Sequence, residues 1–230
     1  GNQGVLYLVS TPIGNLEDIT LRALRVLKEV NLIAAEDTRK TGILLKNYSI
    51  SNQLTSYHDF NKEKKVYTLL QSLKSGNSIA LVSDAGTPGI SDPAFLMVKL
   101  AIREGIRVES IPGPTAFVSA LIISGLPTDK FIFEGFLSPK SGKRKKRILE
   151  LSEEKRTLIF YESPHRFLET LEDLLSILGD RKTSVARELT KKFEEVKRGK
   201  LSEIKEYFEA AKVRGEFVLI VEGKREDGKT

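Results

Sequence analysis

Ser78-Ile79-Ala80-Leu81-Val82 runs directly into Ser83-Asp84-Ala85-Gly86-Thr87-Pro88-Gly89-Ile90-Ser91-Asp92-Pro93, and a helical pattern over Ala94–Glu104 follows. The first five residues are a short apolar run ending at turn residues, the mark of a strand buried on both faces. In the loop, Gly86 and Gly89 permit unusual dihedrals and close backbone approach, while Pro88 and Pro93 stiffen the path. Two readings stand side by side: exposed amides that meet a ligand, or a long turn in which Ser91 or Asp92 caps the next helix. Strand, loop and helix in this order form the repeating unit of an open parallel sheet.

The same unit recurs upstream and downstream. Strands are expected at Val5–Val9, Asn31–Ala35 and Arg107–Ile111, with helices over Leu21–Val30, Thr38–Lys46 and Lys62–Ser75. The texture changes after Pro112-Gly113-Pro114. A helix over Thr115–Ile123 leads through Gly125-Leu126-Pro127 into strands near Phe131–Phe136, Thr157–Tyr161, Thr183–Arg187, Glu194–Lys197 and Phe217–Glu222. Helices near Arg144–Leu151, Phe167–Leu178 and Leu201–Ala211 alternate with them, which predicts a second sheet. The expectation is an N-terminal α/β domain over 1–112 and a C-terminal α/β domain over 113–230.

The 230 residues carry 37 basic and 31 acidic side chains, a formal charge of +6, and no cysteine. A disulfide framework and thiolate metal sites are excluded, and His58 and His165 have no zinc-like spacing, so metal-free chemistry is expected. No apolar run reaches membrane-spanning length, and the N-terminus enters a strand pattern without signal-peptide features. A cytoplasmic protein without a membrane partner is expected. Residues 1–112 hold 13 basic and 11 acidic residues, against 24 and 20 in 113–230, so a polyanionic partner is favoured and the second half carries more of the excess.

Carboxyl ends of parallel strands line the ligand crevice of such sheets, so Ser10–Asn15, Glu36–Arg39, Ser83–Pro93 and Pro112–Thr115 are candidates to converge there. Asp37-Thr38-Arg39 reads either as a phosphate site, with Arg39 oriented by Asp37, or as a helix cap. Tyr161-Glu162-Ser163-Pro164-His165-Arg166 gathers an aromatic, an acid, an imidazole and a guanidinium behind a buried strand. Six of the ten residues Ser138–Arg147 are Lys or Arg, and Lys143-Arg144-Lys145-Lys146-Arg147 reads as a phosphate-backbone contact or as a solvated helix face. Gly223–Thr230 fits G-x-x-x-x-G-K-T, yet the sequence stops at Thr230, where a phosphate loop needs a helix to follow. It reads as a solvated tail.

Taken in order, Leu8–Leu16, Ala35-Glu36-Asp37-Thr38-Arg39, Ser83–Pro93, Ile111–Pro114, Phe160–Arg166 and Ala186–Lys191 resemble the ribosomal RNA small subunit methyltransferase I family of the tetrapyrrole methylase superfamily. The resemblance runs from about Leu6 to Gly223. It implies two α/β/α lobes with S-adenosyl-L-methionine in the cleft between them, and a homodimer. The implied reaction is 2′-O-methylation of a cytidine ribose in the decoding region of small-subunit ribosomal RNA. The cofactor positions it implies are Pro12, Asp84, Ala85, Gly86, Thr87, Ile90, Ser91, Thr115, Ala116, Tyr161, Ala186, Arg187, Glu216 and Phe217. Porphyrin-methylating relatives carry G-x-G-P-G-D where this chain has Ser10–Asn15, and Gly-Asp-Pro where it has Ser83–Gly86, which points away from a tetrapyrrole substrate.

Methyl transfer from a sulfonium is an in-line displacement, in which orientation and relief of the hydroxyl proton are the enzyme's tasks. Asp37, Glu162, Glu188 and His165 are candidate proton acceptors, and Arg39 and Arg166 suit phosphates. The expected catalytic set is Asp37, Arg39, Glu162 and Glu188, and the expected RNA contacts are Lys143, Arg144, Lys145, Lys146, Arg147 and Arg166. Two rival readings are a methyltransferase for a small tetrapyrrole and a non-catalytic, cofactor-sensing ribosome assembly factor.

Overall fold

The computed structural model describes residues 2–226, so the last four residues of the Gly223–Thr230 motif match lie outside the described residues. The chain divides into two compact units, 1–115 and 116–230. The Thr87 hydroxyl donates to the Pro114 carbonyl at 3.1 Å and lies 2.6 Å from the Thr115 hydroxyl, which keeps 113–115 with the first unit.

In the first unit β1 (Val5–Val9), β2 (Leu32–Ala35), β3 (Leu54–Ser56), β4 (Ile79–Val82) and β5 (Arg107–Ile111) form one parallel sheet in the order β3-β2-β4-β1-β5. Alternate side chains serve opposite faces, as the period of a strand requires. Leu6, Leu8, Ala34, Ile79 and Leu81 pack against α3 (Lys62–Lys74) and α4 (Ala94–Arg103). Val9, Ile33, Ala35, Ala80 and Val82 pack against α1 (Leu21–Glu29) and α2 (Thr38–Asn47). The edge strand β3 is absent from the sequence-based expectation. It is three half-buried residues, Leu54-Thr55-Ser56, with no apolar run, and it exists through its pairing with β2.

The second unit contains α5 (Ala116–Ile122), β6 (Phe131–Phe136), α6 (Ser141–Glu150), β7 (Thr157–Glu162), α7 (Phe167–Leu178), β8 (Lys182–Arg187), β9 (Glu195–Lys200), α8 (Leu201–Glu209) and β10 (Phe217–Val221). Its sheet has the order β6-β7-β10-β8-β9, and only β6 and β7 run parallel. One face buries Leu158, Phe160, Val185, Phe217 and Leu219 against α6, α7 and α8. On the other, Tyr161 accepts the Phe117 backbone N–H of α5 at 3.1 Å. Among the described residues no helix is long and apolar enough to cross a membrane.

α6 begins at Ser141, ahead of the expected Arg144, because the Arg144 N–H already donates to the Lys140 carbonyl at 2.9 Å. The Arg144 side chain is only 3% exposed, with Nε donating to Asp173 Oδ2 at 2.7 Å and Nη2 lying 3.5 Å from Glu169 Oε2. Two carbonyls, Ser138 and Pro139, accept from its Nη1. The pair pins α6 to α7. Removing one member of a buried pair strands the other charge, at a cost of about 3–5 kcal/mol. Asp173→Ala is therefore expected to destabilise the protein by that amount in urea unfolding. The double change Arg144→Met, Asp173→Leu is expected to recover most of it.

Candidate functional site

At the carboxyl end of the first sheet, the chain after β1 and the chain after β4 pair once more beyond the strands. The Thr11 N–H donates to the Gly86 carbonyl and the Gly86 N–H to the Thr11 carbonyl, both at 3.0 Å. Gly86 has φ +77°, and a Cβ there would meet Ile13 Cγ2 at 3.2 Å and the Pro114 carbonyl at 3.4 Å. Thr87 Oγ1 completes the junction, lying 3.0 Å from Ser10 Oγ as well as bonding to 114 and 115. Gly113 is required here too, since a Cβ would fall 2.7 Å from Ser10 Cβ. The loops after β1, β4 and β5 thus converge on one half-buried hydroxyl. Thr11 Oγ1 beside it is buried without a hydrogen-bond partner among the described residues.

The rim of this junction is exposed: Asp84, Ala85, Gly89, Ile90 and Ser91, with Pro12, Thr87 and Thr115 half-buried below it. Ser91 holds φ +62°, an uncommon setting for a residue with a side chain. Asp92, rather than Ser91, closes the turn. Its carboxylate accepts the Gly89 N–H at 2.8 and 2.9 Å and the Ala94 N–H at 3.0 Å.

Of the acidic pair after β2, Asp37 is the cap of α2 and accepts the Arg39 and Lys40 N–H groups at 2.9 and 3.2 Å. Arg39 itself is exposed, and its guanidinium has no partner among the described residues. Glu36 turns under the 83–93 loop and accepts the Asp84 N–H at 3.2 Å. Burial raises its carboxyl above the ordinary range, the Asp84 N–H opposes this, and the carboxylates of Asp84, Asp92 and Asp59 raise it further. Glu36 stood in the quoted motif but not among the expected catalytic residues. The signal was its place directly after the buried run Leu32–Ala35, where an acid enters a desolvated position.

In the second unit the implied cofactor positions gather in two adjacent rows across three strands. Tyr161 pairs with Val218 and Val218 with Ala186, and in the next row Phe217 pairs with both Glu162 and Arg187. The Phe217 ring stacks on Phe167 at 3.9 Å in the core, so its side chain is not available to a ligand. Glu216 offers its carbonyl to the Glu188 N–H at 3.1 Å, and Ala116 opens α5 beside the Tyr161 hydroxyl. Burial raises the Tyr161 phenol above its ordinary value, the Phe117 N–H lowers it, and Glu216 adds to the rise. Arg187 donates to the carbonyls of Phe193 and Arg214.

Glu162 is 3% exposed and accepts from the Thr170 hydroxyl at 2.7 Å and the Ser163 N–H at 2.8 Å. These donors and Arg166, 3.7 Å away, engage the carboxylate in holding the start of α7. Its expected role as a proton acceptor gives way to that of an anchor. Glu188 is left-handed at φ +52° and pairs with Lys191 at 2.8 Å, packed against a glycine, Gly215, that leaves no room for a side chain. His165 is exposed.

The basic run separates into two kinds of residue. Arg144 is buried, which removes it from the expected RNA contacts, and Arg147 is bidentate to Glu134 at 2.6 and 2.9 Å and bonded to Glu150. Lys143, Lys145 and Lys146 are exposed and have no acidic partner among the described residues.

The profile of the tetrapyrrole (corrin/porphyrin) methylases matches residues 5–205. A Halalkalibacterium halodurans protein named ribosomal RNA small subunit methyltransferase I is 54% identical, over 98% of this chain and 78% of its own length. A Thermotoga maritima protein of the same name is 50% identical over 96% of this chain and 99% of its own. Among solved structures, a cobalt precorrin-4 methyltransferase of cobalamin biosynthesis superposes with a TM-score of 0.70 at 17% identity, over 95% of this chain and 94% of that one. The uroporphyrin-III C-methyltransferase of Thermus thermophilus gives 0.68 at 22% identity, over 96% and 94%. At these identities the two structures show a shared fold.

A carboxyl whose folded value is raised stabilises the fold fully below its unfolded value and loses that contribution as the pH climbs through the folded one. Glu36→Gln is thus expected to raise the Tm at neutral pH, with the gain vanishing as the pH falls to the ordinary carboxyl value of 4.5. Calorimetry across that range checks it; a gain independent of pH would contradict the burial argument.

Proposed function

The chain belongs to the tetrapyrrole methylase family and, within it, to the ribosomal RNA small subunit methyltransferase I group, and from that premise we propose that it methylates the 2′-hydroxyl of a cytidine in the decoding region of small-subunit ribosomal RNA. It is an S-adenosylmethionine-dependent methyltransferase. The observation that carries the RNA reading is identity of 50% or more, over nearly the whole chain, with proteins named for ribosomal RNA. The loops Ser10–Asn15 and Ser83–Gly86, which depart from the glycine-rich pattern of porphyrin-methylating relatives, support it. We further propose that the protein acts in the cytoplasm as a homodimer.

The residues of the first unit fit the donor. A Thr11 hydroxyl with no partner among the described residues, a left-handed Gly89 with open space around it, and the exposed residues Asp84 and Ala85 suit a polar, nucleoside-containing molecule. Pro12, Asp84, Ala85, Gly86, Thr87, Ile90, Ser91 and Thr115 would hold it. S-adenosylmethionine supplies an electrophilic methyl group on a sulfonium. The protein's part is to hold the ribose oxygen in line and to keep the donor's surroundings fixed, which the Thr87 junction does by restraining three loops at once. Among the first-unit carboxylates, burial favours taking up a proton at Glu36 and at Asp92, of which Asp92 is engaged by the Gly89 and Ala94 N–H groups, while Asp37 is held by two amides. Arg39 is free to meet a phosphate.

Labelled S-adenosylmethionine incubated with small ribosomal subunits at several stages of assembly tests the reading. Label is expected on a single cytidine ribose, and none on a deoxyribose counterpart, because only the 2′-hydroxyl accepts it. Comparable labelling of DNA, or RNA binding without transfer, would overturn it. We also propose that Lys143, Lys145 and Lys146 neutralise RNA phosphates. Changing all three to Gln is expected to reduce the slope of log K against log salt by about 2, at ~0.7 per phosphate of a single strand. An unchanged slope would leave this face of α6 merely solvated.

A further inference from the structure

The turn after β3, Tyr57-His58-Asp59-Phe60-Asn61, entered no functional expectation, yet it displays the most exposed large apolar side chain of the described residues: Phe60 is 97% accessible. Its backbone is held firmly. The His58 N–H donates to Asn61 Oδ1 at 2.8 Å, the Phe60 N–H to His58 Nδ1 at 3.2 Å, and Asn61 Nδ2 to Ser56 Oγ at 3.0 Å. The His58 ring meets Phe60 edge-on at 6.0 Å. Tyr57, buried and with its phenol pushed up to about 12 by burial, donates its hydroxyl to the Pro93 carbonyl at 3.0 Å. That bond ties the turn to the end of the 83–93 loop.

Unpaired cations lie on the segments that follow the same ends of β2 and β3. Ala35 of β2 pairs with Ser56 of β3, and Arg39 and Phe60 each lie four residues further on, at the same end of neighbouring strands. Lys62 pairs with Asp59 at 3.2 Å, whereas Lys64 and Lys65, on the first turn of α3, have no acidic partner among the described residues. A rigidly mounted aromatic ring on a turn that leads into two unpaired cations, at the sheet end where Arg39 also follows its strand, matches a nucleotide, which presents a π face beside a phosphate. An apolar protein partner would need a wider apolar patch, and the residues adjoining Phe60 (His58, Asp59, Asn61, Lys62) are polar.

We infer that Phe60, with Arg39, Lys64 and Lys65, forms a subsite for an unpaired nucleotide of single-stranded RNA, the base stacking on the ring and neighbouring phosphates meeting the cations. This rests on the RNA reading above and adds to it a place where the strand beside the target is held.

The chain contains no tryptophan, so Phe60→Trp installs a sole indole at the subsite. The full-length variant is titrated with a single-stranded RNA oligonucleotide and with an abasic oligomer of equal length. RNA is expected to quench the indole fluorescence saturably, and the abasic oligomer to leave it unchanged. Phe60→Ala is expected to weaken RNA binding by roughly 5- to 100-fold, as loss of one stacked base does, while Phe60→Tyr retains it. The thermal shift produced by S-adenosylmethionine, equal in all variants, shows that the fold is intact. Tight RNA binding without quenching, or equal affinity in the Ala and Tyr variants, would sink the subsite while leaving RNA as substrate. Dissociation of an oligomer by Phe60→Ala in sedimentation would reassign the ring to a contact between copies. If the unsubstituted protein neither binds nor methylates RNA, the reading of the substrate fails, and the subsite with it.

Discussion

The reciprocal pair of backbone hydrogen bonds between Thr11 and Gly86 is the constraint on which the candidate site depends. β1 and β4 are neighbours at the centre of the parallel sheet, and this bridge carries their pairing past the strand ends. It holds the two loops at a separation that the Thr87 hydroxyl then locks to the chain after β5. Gly113 is a glycine because the chain packs too closely on Ser10 for a side chain, and Gly86 because its φ of +77° is left-handed and its surroundings are tight. A loop assembly restrained in this way presents its outer amides and carbonyls in fixed positions, which is what orientation-dependent chemistry asks of a protein.

Charge is distributed by the same economy of burial. Acidic groups gather under the 83–93 loop, where Glu36 and Asp92 are both raised by desolvation, and each is partly offset by backbone N–H groups. Basic groups divide by accessibility. In α6 every third or fourth position faces the core, so Arg144 turns inward to Asp173, while Lys143, Lys145 and Lys146 face solvent. A run of like charges is therefore an anchor and a surface at once. Glu162 behaves as Arg144 does: an ionisable group that looks chemical in the sequence is engaged by the helix that follows its strand.

The fold shared with enzymes that methylate tetrapyrroles at 17–22% identity, beside 50% or more with proteins named for ribosomal RNA, separates scaffold from chemistry. The sheets and helices are common property. Within one fold, differences of substrate are carried by loops rather than by the scaffold.

Strand and helix positions were legible wherever a buried run met a turn, because hydrophobic periodicity is a local property: Val5–Val9, Arg107–Ile111, Phe131–Phe136 and Phe167–Leu178 have the bounds that the sequence implies. β3 was not legible, since three half-buried residues become a strand only through the partner beside them. The motif loops, the family and its methyl donor were likewise readable from residues in order. What only the tertiary structure decided is which side chains are free. Asp37 caps, Glu162 and Arg144 anchor, Glu36 is desolvated, and Phe60 stands in solvent at the end of the sheet. The physical reason is that burial and hydrogen-bond satisfaction are set by contacts between residues far apart in the chain, and the chemistry left to a side chain is whatever those contacts do not consume.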